Sequence, residues 1–304
     1  MSLCKCLLLV SLVALGVPAA HGEPHCPGNV ASLPLRIVQS SLIVVSIEIN
    51  HSGPYDFLVD TGAQVMTLEP TLVSELGIKT LGETGVGGVA TYERSPYANI
   101  DLIKAGNHFV FNVIAVVQEM SQLRAFDPRV RGILGANFLE HFDLLVDNRQ
   151  SLLCLDTSGA LDAAVHGEQV PLVEPRGSIK DIPFTRPLLV SAKLSGGRTL
   201  VLLRLDSGSN APLLYATNLR DAHAPIDTSP RLKRNVNGAE QSFAILPPQE
   251  IHIGKCLIRQ VSFVLPLIAI NEGPTSREDG LMPTMAFRSV FISYARQYAK
   301  LDNW

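Results

Sequence analysis

A short pattern occurs twice in this chain of 304 residues: Phe57 to Ala63 reads FLVDTGA, and Leu203 to Ser209 reads LRLDSGS. Each copy ends an apolar run on an aspartate, Asp60 or Asp206, followed by a small hydroxyl residue and a glycine. Two such carboxyls brought face to face can share a proton. Hydrolysis of an amide by water needs a base for the water and an acid for the carbonyl oxygen and the leaving amine, and the pair supplies both. At about 3 Å and an effective dielectric near 20 the two charges repel by roughly 5 kcal/mol, which opposes double ionisation by about 4 pK units. The titration then belongs to the pair rather than to either residue. Thr61 and Ser207 offer hydroxyls that can bond across to the opposite backbone, while Gly62 and Gly208 let backbone approach the carboxylates closely.

The pattern alone is cheap, since Asp156 to Gly159 nearly reproduces it, but the surroundings repeat as well. Ile133, Leu134 and Gly135 follow the first copy, with Leu134 74 residues beyond Asp60 (134 − 60). Leu281, Met282 and Pro283 follow the second, with Met282 76 residues beyond Asp206 (282 − 206). Upstream, Val45 to Ile49 matches Val190 to Leu194 at an offset of 145 (190 − 45), against 146 for the aspartates (206 − 60). One extra residue in a hairpin accounts for the difference. Landmarks in the same order at nearly constant offset imply an internal duplication of domain size.

The elements that must position the acids read mainly as strand. Ile43 to Ile49 and Tyr55 to Val59 form a hairpin about Asn50 to Pro54 that delivers Asp60 at its end. Pro70 to Leu76 reads as a short helix with Gly77 as its stop. Ala98 to Ile103 and Phe109 to Val117 are strands, Ala136 to Phe142 gives one or two helical turns, and Leu144 to Val146 is a strand. In the second half Leu188 to Leu194 and Thr199 to Leu205 form the matching hairpin about Gly196 and Gly197. Gln249 to Ile258 and Val261 to Leu265 read as strands, and Met285 to Val290 as the counterpart of the helical turns. A hinge is expected in 157–169, where apolar periodicity lapses.

The composition is that of a globular enzyme, 46% hydrophobic and 17% charged, and a net charge of −3 provides no basic face for nucleic acid. Lys5, the apolar run Leu7 to Val17 and the small residues up to Gly22 form a secretory signal pattern, too short to span a bilayer comfortably. Export follows, to the periplasm or the cell exterior; an uncleaved segment acting as a membrane anchor is the alternative. Cys26, Cys154 and Cys256 then remain, an odd number that permits at most one internal bridge. The sequence leaves their pairing open and favours small buried hydrophobes over a disulfide framework. No Cys/His spacing suits zinc, so neither a metal nor a cofactor is expected.

These residues resemble the aspartic peptidases, specifically a two-lobed single chain with retropepsin-like repeats in a pepsin-like arrangement. The resemblance rests on Asp60 to Ala63, on Ile133 to Gly135 and on Asp206 to Ser209, and it covers nearly the whole exported chain. It implies a mainly β fold of two similar acid-protease β-barrel lobes, related by pseudo-two-fold symmetry, with the active-site cleft between them. Residues 1–22 are then the signal peptide, 23–160 the N-terminal lobe and 161–304 the C-terminal lobe. By the same resemblance Asp60 and Asp206 hold the attacking water, one ionised and one protonated, in a monomeric endopeptidase acting on peptides or proteins. Thr61, Gly62, Ser207 and Gly208 support the pair, and a glycine-bearing flap falls at Thr84 to Tyr92, with Gly87 and Gly88 near its tip. Asn237 and Gly238 mark a tight turn in the second half.

Two residues depart from the pattern. Arg204 stands where the first copy has Leu58; reaching the acids it would favour their ionisation, and pointing away it would be harmless. Pro283 stands where the first copy has Gly135, so the second crossing strand must pack differently. They keep two alternatives open: a peptide-binding or inhibitory pseudo-protease with a degenerate second site, and a retropepsin-like homodimer that uses only the first lobe.

Overall fold

The structure, a computed structural model, describes residues 24–87, 92–173, 187–194, 200–215, 231–236, 239–267 and 278–304. The signal pattern, Gly88, the tip at Gly196 and Gly197, and the Asn237–Gly238 turn lie outside the described residues.

Branched apolar side chains dominate the first half, and they pair as strands. β1 (Leu35–Val38), β2 (Leu42–Ile49), β3 (Ser52–Val59), β4 (Met66–Leu68), β5 (Thr80–Gly87), β6 (Tyr92–Ala105), β7 (His108–Val117) and β8 (Val130–Leu134) form one sheet, in the order β1-β2-β3-β8-β4-β7-β6-β5. Asn50 and His51, both at positive φ (48° and 66°), close the β2–β3 hairpin, as two-residue hairpin turns require. The short helix α1 (Pro70–Glu75) starts at Pro70, whose fixed φ suits a first helical position, and stops at Gly77, which takes φ +63°. A second short helix, α2 (Ser121–Phe126), precedes β8.

The chain then leaves this sheet. One turn of helix, α3 (Ala136–Leu139), leads into the hairpin β9 (Asp143–Asp147) and β10 (Leu152–Asp156), followed by α4 (Ala160–Ala164) and β11 (Glu168–Pro171). The expected hinge therefore contains α4 and the start of β11.

The second half repeats the first. β12 (Leu189–Leu194), β13 (Leu200–Asp206), β14 (Leu213–Leu214), β15 (Arg231–Val236), β16 (Ala239–Ile245), β17 (Gln249–Ile253), β18 (Cys256–Val261), β19 (Val264–Pro266) and β20 (Gly280–Pro283) form a nine-stranded sheet. Within it the order β12-β13-β20-β14-β19-β16-β15 reproduces β2-β3-β8-β4-β7-β6-β5 strand for strand. The directions repeat too. β3 runs parallel to β8 as β13 does to β20, and β4 lies between an antiparallel β8 and a parallel β7 as β14 lies between β20 and β19. Val45 pairs with Phe57 and Val190 with Leu203, separations of 12 (57 − 45) and 13 (203 − 190), which places the extra residue inside the second hairpin.

A third sheet joins the halves. β21 (Ser289–Ser293) and β22 (Tyr298–Asp302) end the described chain, and the order β10-β9-β21-β22-β11 puts strands of both halves side by side. β9 and β21 pair antiparallel about Leu145 and Phe291, two positions again 146 apart (291 − 145), so the pseudo-two-fold axis passes through this pair. A hydrophobic core with Phe57, Phe138, Phe263 and Phe287 fully buried runs through both halves. Each such ring contributes about 1.5–3 kcal/mol of burial.

Three expectations are corrected. Gln249 to Ile258 is a hairpin rather than one strand, because Gly254 takes φ +59° and turns the chain between β17 and β18. Met285 to Val290 is not helical throughout: a single 3-10 turn, Thr284–Ala286, gives way to β21, whose apolar residues fill the joining sheet. Cys26 and Cys154 form a disulfide with Cα atoms 6.0 Å apart, leaving Cys256 as a buried free thiol. The bridge sits in a small cluster of its own with Leu145, Leu152, Leu161, Val165 and Phe291.

Candidate active site

β3 and β13 end at the two aspartates, and each is pinned there by the strand that crosses beside it. Val59 pairs with Leu134, and the Asp60 amide donates to Leu134 O at 3.0 Å. On the other side Leu205 pairs with Met282 and Asp206 with Pro283. Gly135 is required where it stands, since a Cβ there would lie 2.5 Å from the Val65 carbonyl. Pro283 is accommodated differently: its φ of −60° is the angle its ring imposes, and it leads the 3-10 turn as Gly135 leads α3. The close crossing in the second half is made by Gly280, where a Cβ would stand 2.0 Å from Leu213 O.

The loops after the strands meet at the pseudo-axis and grip each other symmetrically. Thr61 Oγ1 donates to Leu205 O (2.9 Å) and accepts from the Ser207 amide (3.0 Å). Ser207 Oγ donates to Val59 O (2.7 Å) and accepts from the Thr61 amide (3.1 Å). Both side chains are buried, and all four bonds cross between the halves.

This grip brings Asp60 and Asp206 into side-chain hydrogen-bond contact. Each loop glycine makes room for the opposite acid: a Cβ at Gly62 would lie 2.5 Å from Asp206 Cγ, and one at Gly208 would lie 2.4 Å from Asp60 Cγ. Asp60 Oδ1 accepts from the amides of Gly62 (2.8 Å) and Ala63 (3.0 Å), and Asp206 Oδ1 from that of Gly208 (2.8 Å). Asp60 is half-buried, and Asp206 is 7% exposed.

The environments of the two carboxyls differ. Burial raises Asp60 above the ordinary aspartate range, while the Ala63 amide, Asp206, the Gly62 amide and Arg204 work the other way. Burial raises Asp206 as well, and the charge of Asp60 adds to it, pushing Asp206 well above that range. Both carboxyls are therefore raised by burial, so the pair holds one proton into a pH range where an isolated aspartate has released it. The arrangement can deprotonate a water with one oxygen while protonating a carbonyl with another.

Arg204 reaches this centre. Its Nη1 donates to Gly62 O at 2.5 Å, while Nε and Nη2 meet Glu278 Oε2 at 2.6 and 2.5 Å. The Tyr215 hydroxyl donates to Glu278 Oε1 at 3.4 Å. Sequence reasoning singled out Arg204 but missed Glu278 and Tyr215. A signal existed for Glu278: it lies three residues before Leu281, the parallel partner of Arg204, so a long side chain there can reach the guanidinium. Tyr294 was missed too; its buried hydroxyl lies near enough for the Asp60 charge to bear on it. Of the flap residues, Gly87 ends β5 opposite Tyr92, and a side chain at Gly87 would meet open space.

Residues 45–138, which hold Asp60 and the Leu134–Gly135 crossing, match the aspartyl protease family model. No curated protein sequence matches the chain. Among solved structures, an aspartic proteinase from Irpex lacteus superposes with a TM-score of 0.50 at 11% identity, covering 90% of this chain and 97% of its own. At that identity the likeness is one of fold, and the fold is the two-lobed acid-protease arrangement.

Proposed function

We propose that this two-lobed chain is an aspartic peptidase, an exported endopeptidase whose Asp60 and Asp206 activate the water that attacks a peptide bond. The observation that carries this reading is the hydrogen-bonded contact of the two carboxyls, each lying against the glycine of the opposite loop. In the proposed reaction Asp60 takes a proton from the water as its oxygen adds to the scissile carbonyl, and Asp206 gives its proton to the carbonyl oxygen. The proton gained by Asp60 then passes to the amide nitrogen as the C–N bond breaks, and Asp206 recovers one from the collapsing tetrahedral carbon's hydroxyl. Both carboxyls end as they began.

The mechanism needs no cofactor from the residues at hand, and the complementary acid pair lies within one chain, which favours a monomer. Export is supported by the N-terminal signal pattern and by the Cys26–Cys154 disulfide, since such bridges form and persist in oxidising compartments. The flap at Thr84 to Tyr92, whose described residues Thr84–Gly87 and Tyr92 lie in the paired strands β5 and β6, is proposed to cover the bound peptide.

The test is cleavage of a mixed peptide library at acidic pH. Asp60→Asn and Asp206→Asn are each expected to abolish it while circular dichroism stays that of the folded protein. Activity surviving in either variant would refute the intramolecular pair.

A further inference from the structure

The grip of Thr61 and Ser207 obeys the pseudo-symmetry, but Arg204 breaks it. Its counterpart in the first copy is Leu58, so the duplicated plan contains no cation at this place. Residues two apart on a strand share a face, so Arg204 and Asp206 project to the same side of β13. The guanidinium bonds both to Glu278 of its own half and to the carbonyl of Gly62 in the loop that carries Asp60. Arg204 is 12% exposed and Glu278 7%, side chain for side chain. A buried ion pair of this kind gains little stability over apolar residues of the same volume, because desolvation offsets the attraction. Its position beside the acid pair therefore calls for another explanation.

We propose that Arg204, held by Glu278, is a positioning residue that fastens the Asp60 loop to the strand of Asp206 and keeps the working pH range of the acid pair lower than the pair alone would have. The proposal rests on the catalytic reading of Asp60 and Asp206. Among the described residues, the charged and titratable groups around the pair come from several elements: Arg204 on β13, Glu278 before β20, Tyr215 after β14 and Tyr294 after β21, the last also under the charge of Glu140 after α3. Burial raises both phenols, so they stay neutral throughout the acid range. Burial opposes the Arg204 charge, but Glu278 and the other neighbouring groups outweigh it and keep the guanidinium ionised. The nearby cation favours the carboxylate form of both aspartates, which draws each limb of a bell-shaped activity profile toward acid. Glu278 fixes the side chain and balances its charge toward the rest of the lobe.

The experiment is the pH profile of kcat/KM on soluble peptides for the wild type, Arg204→Met, Arg204→Lys and the double variant Arg204→Met/Glu278→Gln. The double variant removes the pair together and so avoids stranding a buried carboxylate. Both Met-containing proteins are expected to show limbs moved up by roughly one pH unit, while Lys, which keeps the charge without the fork, stays close to the wild-type limbs. Limbs that stay in place in the double variant, or that move equally with Lys and Met, would overturn the proposal. Wild-type activity that persists in Asp60→Asn would instead defeat the catalytic reading beneath it, so the two failures are told apart.

Discussion

Replacing Thr61 by valine keeps the shape of the side chain and removes only its hydroxyl. That hydroxyl accepts from the Ser207 amide and donates to Leu205 O, and the site is 1% exposed. No water can take over, so one N–H and one C=O are left buried and unpaired at about 1–3 kcal/mol each. The expected loss is about 2–6 kcal/mol, a large share of the roughly 5–15 kcal/mol typical of a folded domain. Ser207→Ala removes the symmetry-related pair of bonds, to Val59 O and from the Thr61 amide, and should cost a similar amount. Thr61→Ser retains both bonds and loses one methyl group, about 1 kcal/mol. Urea unfolding followed by circular dichroism measures all three, with activity assayed alongside. A Thr61→Val midpoint indistinguishable from wild type, with unchanged slope, would refute the view that this grip joins the halves.

Asp206→Asn should raise the melting temperature at pH 7 and leave it unchanged near pH 3. The folded state holds the Asp206 proton at pH values where the unfolded chain, ionising in the ordinary aspartate range, has released it, so stability falls as pH rises from that range toward the raised folded-state titration. The asparagine removes that loss, and calorimetry across the range checks it; equal melting temperatures at both pH values would count against a raised Asp206. Gly62→Ala should fold but lose at least about a hundredfold in activity, because its Cβ would displace the Asp206 carboxyl and a misplacement of about 1 Å has that cost. Activity within threefold of wild type would show that the loop yields without disturbing the acids.

What the sequence made legible was what the duplication repeats. The offset of 146 located both aspartates and the Thr61–Ser207 grip, and the alternating strands β2, β3, β7 and β12 fall within a few residues of their expected bounds. What it concealed depends on contacts without local signature. Cys26 meets Cys154 across 128 positions, and three cysteines permit three pairings of equal standing in sequence. Arg204 was ambiguous because the face of a strand does not say what waits opposite; its partner is 74 positions away. Gly254 was read through because the apolar residues continue on both sides of it, although a single left-handed φ is enough to fold one apparent strand into two. The joining sheet was invisible for a related reason, since β9 and β21 are short, almost wholly buried runs, and neither carries a mark that names the other as its neighbour.

The place of β21 and β22 in that sheet bears on how the protein comes into being. They supply the middle of a layer whose flanks, β9 and β11, are synthesised more than a hundred residues earlier. A nascent chain short of Ser289 has those flanks but not the strands that link them, so its acid-bearing loops lack the common floor that holds them in opposition. On the proposed reading, completion of the acid pair is thereby deferred until β21 and β22 have been made.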